Sequence, residues 1–102
     1  MARAAFVLKV RPDRMDEYVV AHRQVWPEML DAIRAAGIRN YTIFRHGTEV
    51  FGYFESDDLE LASRYLADNE VNKRWQTAMA ELLEARVADG GPDLLPEIFR
   101  LD

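Results

Sequence analysis

One histidine in this chain stands where it could do chemistry. His22 lies in the run Glu17-Tyr18-Val19-Val20-Ala21-His22-Arg23-Gln24-Val25-Trp26-Pro27-Glu28-Met29. At helical spacing Met15, Tyr18, Val19, His22, Trp26, Met29 and Ile33 fall on one side, with Asp16, Arg23, Asp31 and Arg34 on the other. An amphipathic helix usually buries an unbroken apolar stripe. This stripe is interrupted by an imidazole that has a phenol one turn before it and an indole one turn after it. Aimed inward, such a group could bind and protonate a small polar molecule, because imidazole titrates near neutrality. The same placement suits a structural histidine with one backbone hydrogen bond, and the residue types alone favour that ordinary role.

The other unusual residues are aromatic. Tyr18, Trp26, Tyr41 and Trp75 each make sense singly as core packing. Taken together they gain weight, because Tyr18 and Trp75 lie on helical faces turned to a sheet, while Tyr41 sits on a strand with a hydroxyl that needs a partner if buried. Apolar rings, hydroxyls and one imidazole are what a pyranose requires: faces on which its CH groups stack, and partners for its hydroxyls. Other chemistries lack support. The second histidine, His46, falls in a turn remote from His22, and no His-x-His or His-x-x-x-His spacing exists, so no metal site is expected. Asp57-Asp58 reads as a helix cap rather than a cation site. There is no glycine-rich phosphate loop after a strand and no G-x-S-x-G elbow, so neither a cofactor nor a serine nucleophile is expected.

The elements that must position these residues follow from periodicity and breakers. Arg3 to Val10 reads as a strand, with Phe6, Leu8 and Val10 on one face and Ala5 and Val7 on the other. Pro12-Asp13 ends it, Asp13 is placed to cap the helix that follows, and Asp16 and Glu17 occupy its first turn. Pro27 removes an N–H and disfavours helix at Trp26, which predicts a kink or a new helix starting at Pro27. Gly37 closes that element. Strands over Ile38–Arg45 and Glu49–Glu55, joined at His46-Gly47-Thr48, make a hairpin. Ser56-Asp57-Asp58 opens a helix over Leu59–Ala67, and after Asp68-Asn69 a second helical segment is expected over Glu70–Val87. Asp89-Gly90-Gly91-Pro92 ends it, and Pro96–Leu101 is expected as a short fourth strand.

The order β-α-β-β-α-β predicts an α+β, ferredoxin-like two-layer sandwich, one domain over residues 1–102, with four antiparallel strands covered by helices on one face. Phe6, Leu8, Val10, Val50 and Phe54 call for burial on one side of the sheet, and Val7, Ile43, Phe51 and Tyr53 on the other. A second copy of the chain is the simplest cover for that second face, giving a homodimer through the sheet, the dimeric α/β barrel arrangement.

Bulk properties narrow the classes. The chain has 102 residues, 49% of them hydrophobic, and a net charge of -5. That charge argues against a nucleic-acid partner, whose phosphates need a basic face. Cysteine is absent, which excludes disulfides and thiolate chemistry. No signal peptide or membrane-spanning stretch is evident, so a cytoplasmic location without a membrane partner is expected.

With these residues in view, the chain resembles the L-rhamnose mutarotases over almost its whole length. The likeness is carried by Ala5-Phe6-Val7, Tyr18-x-x-x-His22, Trp26-Pro27-Glu28, Asn40-Tyr41, Arg74-Trp75 and Glu97-x-Phe99. The resemblance implies a dimeric α/β enzyme that exchanges the anomers of a free deoxysugar, with His22 as proton donor and Tyr18, Tyr41 and Trp75 contacting the sugar. It also reverses the ordinary role assigned above to His22. The family usually carries two consecutive tryptophans where this chain has Trp75-Gln76, so Gln76 stands at a sugar-contacting position without a ring. The hairpin is shorter, and the segment before the last strand is reduced to Asp89-Gly90-Gly91-Pro92-Asp93, which reshapes the pocket mouth. The competing class is a cofactor-free monooxygenase or a non-catalytic small-molecule binder on the same barrel. The polar content of the pocket separates the two: a sugar enzyme places several hydrogen-bonding groups beside His22, an aromatic oxygenase mostly apolar walls.

Overall fold

The computed structural model describes residues 1–102. Strand β1 (Ala2–Lys9) leads through a 3-10 turn at Pro12–Arg14 into helix α1 (Met15–Arg23) and helix α2 (Pro27–Ala35). The hairpin of β2 (Ile38–His46) and β3 (Glu49–Ser56) follows, then α3 (Leu59–Ala67) and α4 (Glu70–Ala80). The sheet is antiparallel with order β1-β3-β2, and the helices cover one face of it. The α+β ferredoxin-like arrangement expected from the element order is therefore present, and no helix is long and apolar enough to cross a membrane.

The breaks fall where backbone chemistry puts them. Trp26 is extended, with ψ 132°, and Pro27 begins a new helix at its first position, where its missing N–H costs nothing. Gly37 takes φ +85° after α2, a conformation glycine adopts without strain. Asp58 caps α3 by accepting from the Leu61 N–H at 3.0 Å, and Asn69 caps α4 by accepting from Asn72 N–H at 2.8 Å. Asp13 makes no such cap: α1 starts at Met15 with no side-chain cap bond, and Arg14 instead pairs with Glu17 at 2.7 Å.

Two expected elements differ. The last helix ends at Ala80 rather than Val87, because the chain leaves it to meet the end of β1. Arg11 N–H donates to Leu82 O at 2.9 Å and Glu84 N–H to Lys9 O at 3.0 Å, and Leu82, Leu83 and Val87 stay buried outside any helix. The fourth strand over Pro96–Leu101 does not form, and the sheet has three strands. Leu95 N–H donates to Ala5 O at 2.7 Å and Arg3 pairs with Glu97 at 3.0 Å, so the tail touches the free edge of β1. It builds no ladder beyond that, since Pro96 has no N–H and Ile98, Phe99 and Leu101 find nothing in their own chain: they are 96, 79 and 84% exposed.

The core lies between sheet and helices. Phe6, Val10, Val50 and Phe54 face inward as the alternation requires. The register places Phe6 opposite Gly52, and a Cβ on Gly52 would lie 2.0 Å from the Phe6 ring, so this strand position accepts only glycine with that ring in place. The outer face carries Val7, Phe44 and Phe51, with Phe44 66% and Phe51 40% exposed. Ile43, expected outside, is inside. Between Arg39 and Thr42 the pairing slips at Asn40-Tyr41, and Asn40 takes φ +53°. That extra residue restores the inward direction for Tyr41 and Ile43 after Ile38, which strict alternation would have denied them.

Candidate active site

Helices and sheet do not close completely. Between them lies a cavity of about 820 Å³, bordered by α2, α3, α4, the start of β2 and the turn at Gly90-Gly91. A recess of about 60 Å³ adjoins it. His22, Tyr41, Trp75 and Gln76 line both spaces, and Tyr18 lines the recess. The fold thus gathers all five sequence-selected residues from three separate elements.

Each is aimed by its own element. His22 follows Tyr18 by one turn of α1, so the two rings stack with centroids 4.2 Å apart. Trp75, from the inward face of α4, stands nearly perpendicular to His22, with ring centroids 5.5 Å apart, and to Trp26, with centroids 5.1 Å apart. Trp26 therefore serves as a brace behind Trp75. Tyr41 enters from the bulge in β2, with its ring 5.3 Å from Phe54 and 6.2 Å from Phe6. It is 40% exposed, as suits a ring lining an open cavity rather than filling a core.

The electrostatics follow from burial. His22 Nδ1 lies 2.8 Å from the Tyr18 carbonyl oxygen. A carbonyl only accepts, so Nδ1 carries the hydrogen, and in the neutral ring Nε2 keeps its lone pair. Burial pushes the imidazole pKa below 6.5, and the carbonyl bond offsets only part of that. The ring is neutral at pH 7. Burial also pushes the Tyr18 phenol up to about 12, and raises Tyr41, where the nearby Tyr18 adds to the effect. Both phenols remain protonated. The arrangement offers one proton acceptor, two hydroxyls and an indole ring around an open cavity.

Two asparagines to which the sequence reading gave no role of their own stand beside the site. Asn72 is 1% exposed and hydrogen-bonds Leu66, Asp89 and Gln76. Its spacing of three and four before Trp75 and Gln76 on an inward helical face was the available signal. Asn40 forms the bulge and donates to Glu55 Oε1 at 2.7 Å. Glu55 also accepts from the Tyr53 hydroxyl at 2.6 Å, and these bonds hold its carboxyl below its usual range. Arg39 pairs with Asp57 at 2.8 Å beside the cavity mouth.

Fold and site together define a class: ferredoxin-like α+β proteins with a small polar-tipped aromatic cavity between sheet and helices. The family model described as L-rhamnose mutarotase matches residues 3–101, and the chain belongs to that family, whose members are isomerases. The L-rhamnose mutarotase of Bacillus subtilis strain 168 is 38% identical over 106 residues, covering 100% of both chains. That of Oceanobacillus iheyensis is 33% identical over 105 residues, again with 100% of each covered. Among solved structures, L-rhamnose mutarotase FA22100 from Formosa agariphila superposes with a TM-score of 0.79 at 28% identity over 100% of both chains. Tetracenomycin F2 cyclase from Streptomyces glaucescens reaches 0.70 at 15% identity, covering 100% of this chain and 98% of its own, a likeness of fold alone.

Proposed function

We propose that this protein exchanges the α and β anomers of free L-rhamnose, moving the proton through His22. The observation that supports this is the locked imidazole: Nδ1–H is given to the Tyr18 carbonyl, which leaves Nε2 as the free nitrogen of a ring that lines a recess together with two phenols. The anomeric hydroxyl and the ring oxygen are bonded to the same carbon, so one nitrogen can serve both. Nε2 takes the proton from the anomeric hydroxyl, the bond from C1 to the ring oxygen breaks, and the imidazolium delivers its proton to that oxygen. The free aldehyde turns about C1–C2, and the same steps reversed close the ring on its other face. Tyr18 and Tyr41 hydrogen-bond the oxygens on which charge develops, and Trp75 supplies a ring on which the sugar's CH groups stack. The steps balance without metal or cofactor. The polar groups beside His22 favour a sugar over the aromatic substrate of an oxygenase.

The same reading makes the protein a homodimer. Phe44 and Phe51 on the outer sheet face and Ile98, Phe99 and Leu101 on the tail are apolar and exposed in one chain. A two-fold pairing of sheet faces, with the tails laid across them, would bury both sets. The working compartment is the cytoplasm, where a cysteine-free chain forgoes no disulfide.

Exchange NMR on a panel of free sugars tests the proposal by the rate of α/β interconversion. L-rhamnose should respond most strongly, and the rate should fall as pH drops below 6.5 and His22 takes a proton. Folded protein that accelerates no sugar in the panel would defeat it.

A further inference from the structure

The bonds around one amide in the cavity wall determine which way it points. Asn72 gives one Nδ2 hydrogen to Leu66 O at 3.0 Å and the other to Asp89 O at 2.8 Å. Its donors are then spent, and only Oδ1 is left for a neighbour. Gln76 Nε2 donates to that oxygen at 3.2 Å. A flipped Gln76 would set two carbonyl oxygens against each other, so Gln76 is held with Nε2 toward Asn72 and Oε1 away from it. Oε1 has no partner in the chain. No fully buried polar side-chain atom lacks a partner in this structure, so Oε1 opens on free space, and Gln76 lines both the cavity and the recess that holds His22.

We propose that Gln76 is a specificity-determining residue, whose Oε1 accepts a hydrogen bond from one hydroxyl of the bound sugar. This rests on the sugar-binding reading given above. A ring at this position would take a CH face of the sugar and be indifferent to hydroxyls. A fixed carbonyl oxygen asks for an O–H. The ligand class is accordingly a free aldose that turns a hydroxyl toward α4, and a sugar with hydrogen or methyl at that point leaves the acceptor unpaired and is rejected. Sites built to hydrogen-bond a substrate hydroxyl discriminate more sharply against its absence than apolar pockets discriminate a methylene.

The test is a cycle between protein and sugar. L-rhamnose, its monodeoxy analogues and L-mannose, which carries a hydroxymethyl in place of the methyl, are measured with wild type and Gln76→Met. Affinity by ligand-observed NMR and anomer exchange are both read. For one hydroxyl, its removal should cost wild type about ten- to a hundred-fold in affinity and cost Gln76→Met less than about threefold, the size expected for a hydrogen bond made in a desolvated site. Gln76→Ala gives the same cycle if methionine does not fit. Binding and exchange by wild type, with the variants losing no affinity or losing it equally for every analogue, would overturn the Gln76 proposal and leave the mutarotase reading standing. Absence of both binding and exchange by wild type for every sugar would overturn the two together.

Discussion

Replacing His22 by asparagine separates the proton chemistry from the packing. In the wild type the imidazole lies 4.2 Å from the Tyr18 ring and 5.5 Å from that of Trp75. Aromatic pairs of this kind contribute about 0.5–1.5 kcal/mol each, so losing two lowers stability by roughly 1–3 kcal/mol. For a domain of this size each kcal/mol corresponds to about 4–8 °C in Tm, which leaves the variant folded at 25 °C if the wild type has ordinary stability. Asparagine can still donate to the Tyr18 carbonyl, but it offers no nitrogen lone pair to take and return a proton. Loss of general acid–base catalysis costs about a hundred- to ten-thousand-fold, or about 2.7–5.4 kcal/mol in the barrier. Sugar affinity should change by less than about tenfold, because Tyr18, Tyr41 and Trp75 remain and one hydrogen bond is at stake. Exchange NMR at saturating sugar gives the rate, and a titration gives the affinity. A folded His22→Asn protein that exchanges anomers at the wild-type rate would refute the assignment of His22.

Three further outcomes follow from geometry already described. Asn40→Val should destabilise the protein by about 1–2 kcal/mol in urea unfolding, because Asn40 sits at φ +53° where a β-branched residue is strained, and should raise KM by disturbing Tyr41. Asn40→Gly should stay within about 1 kcal/mol of wild type, since glycine takes that conformation freely, and equal stability of the valine variant would contradict the bulge argument. His22 resists protonation when folded but binds a proton near 6.5 when unfolded, so its contribution to stability should fall as pH drops from 6.5 through its depressed pKa and then level off. An unfolding free energy flat from pH 7 to pH 4 in wild type and in His22→Asn would count against the burial of that ring, whereas a slope lost in the variant would support it. Phe44→Asp should convert a micromolar dimer to monomer in sedimentation velocity, and a wild-type protein that is already monomeric would remove the case for pairing through the sheet.

What the sequence discloses is what local chemistry determines. Pro27 announces a new helix because its ring and missing N–H act within one turn. Asp58 and Asn69 announce caps for the same reason. The convergence of Tyr18, His22 and Trp75 was legible too, since helical spacing alone puts each on an inward face. Tyr41 was legible as a candidate, but not the means by which it arrives. A bulge is one residue of slippage against a partner strand, and nothing in Asn40-Tyr41 read by itself separates it from regular alternation. Ile43 was assigned to the wrong face on that account. The end of α4 at Ala80 depended on a competing bond from the end of β1, seventy residues earlier in the chain. The expected strand at Pro96–Leu101 has the composition of a strand, yet a strand needs an edge, and its own chain offers only one bond at Leu95. The role proposed for His22 rests on family likeness, because burial and spacing are shared by structural and chemical histidines alike.

The missing side chain at Gly52 has a consequence for the floor of the site. Phe6 lies across the strand there, in space that any Cβ would claim, and its ring forms part of the recess under Tyr41. The depth available to a ligand is thus governed from below by a position that never touches it. One methyl at residue 52 would displace the Phe6 ring, which lines the recess beside Tyr41 and so sets its floor. β1 and β3 are thereby coupled in one direction: a side chain at residue 52 requires a smaller residue at position 6, whereas Gly52 itself leaves position 6 free to vary.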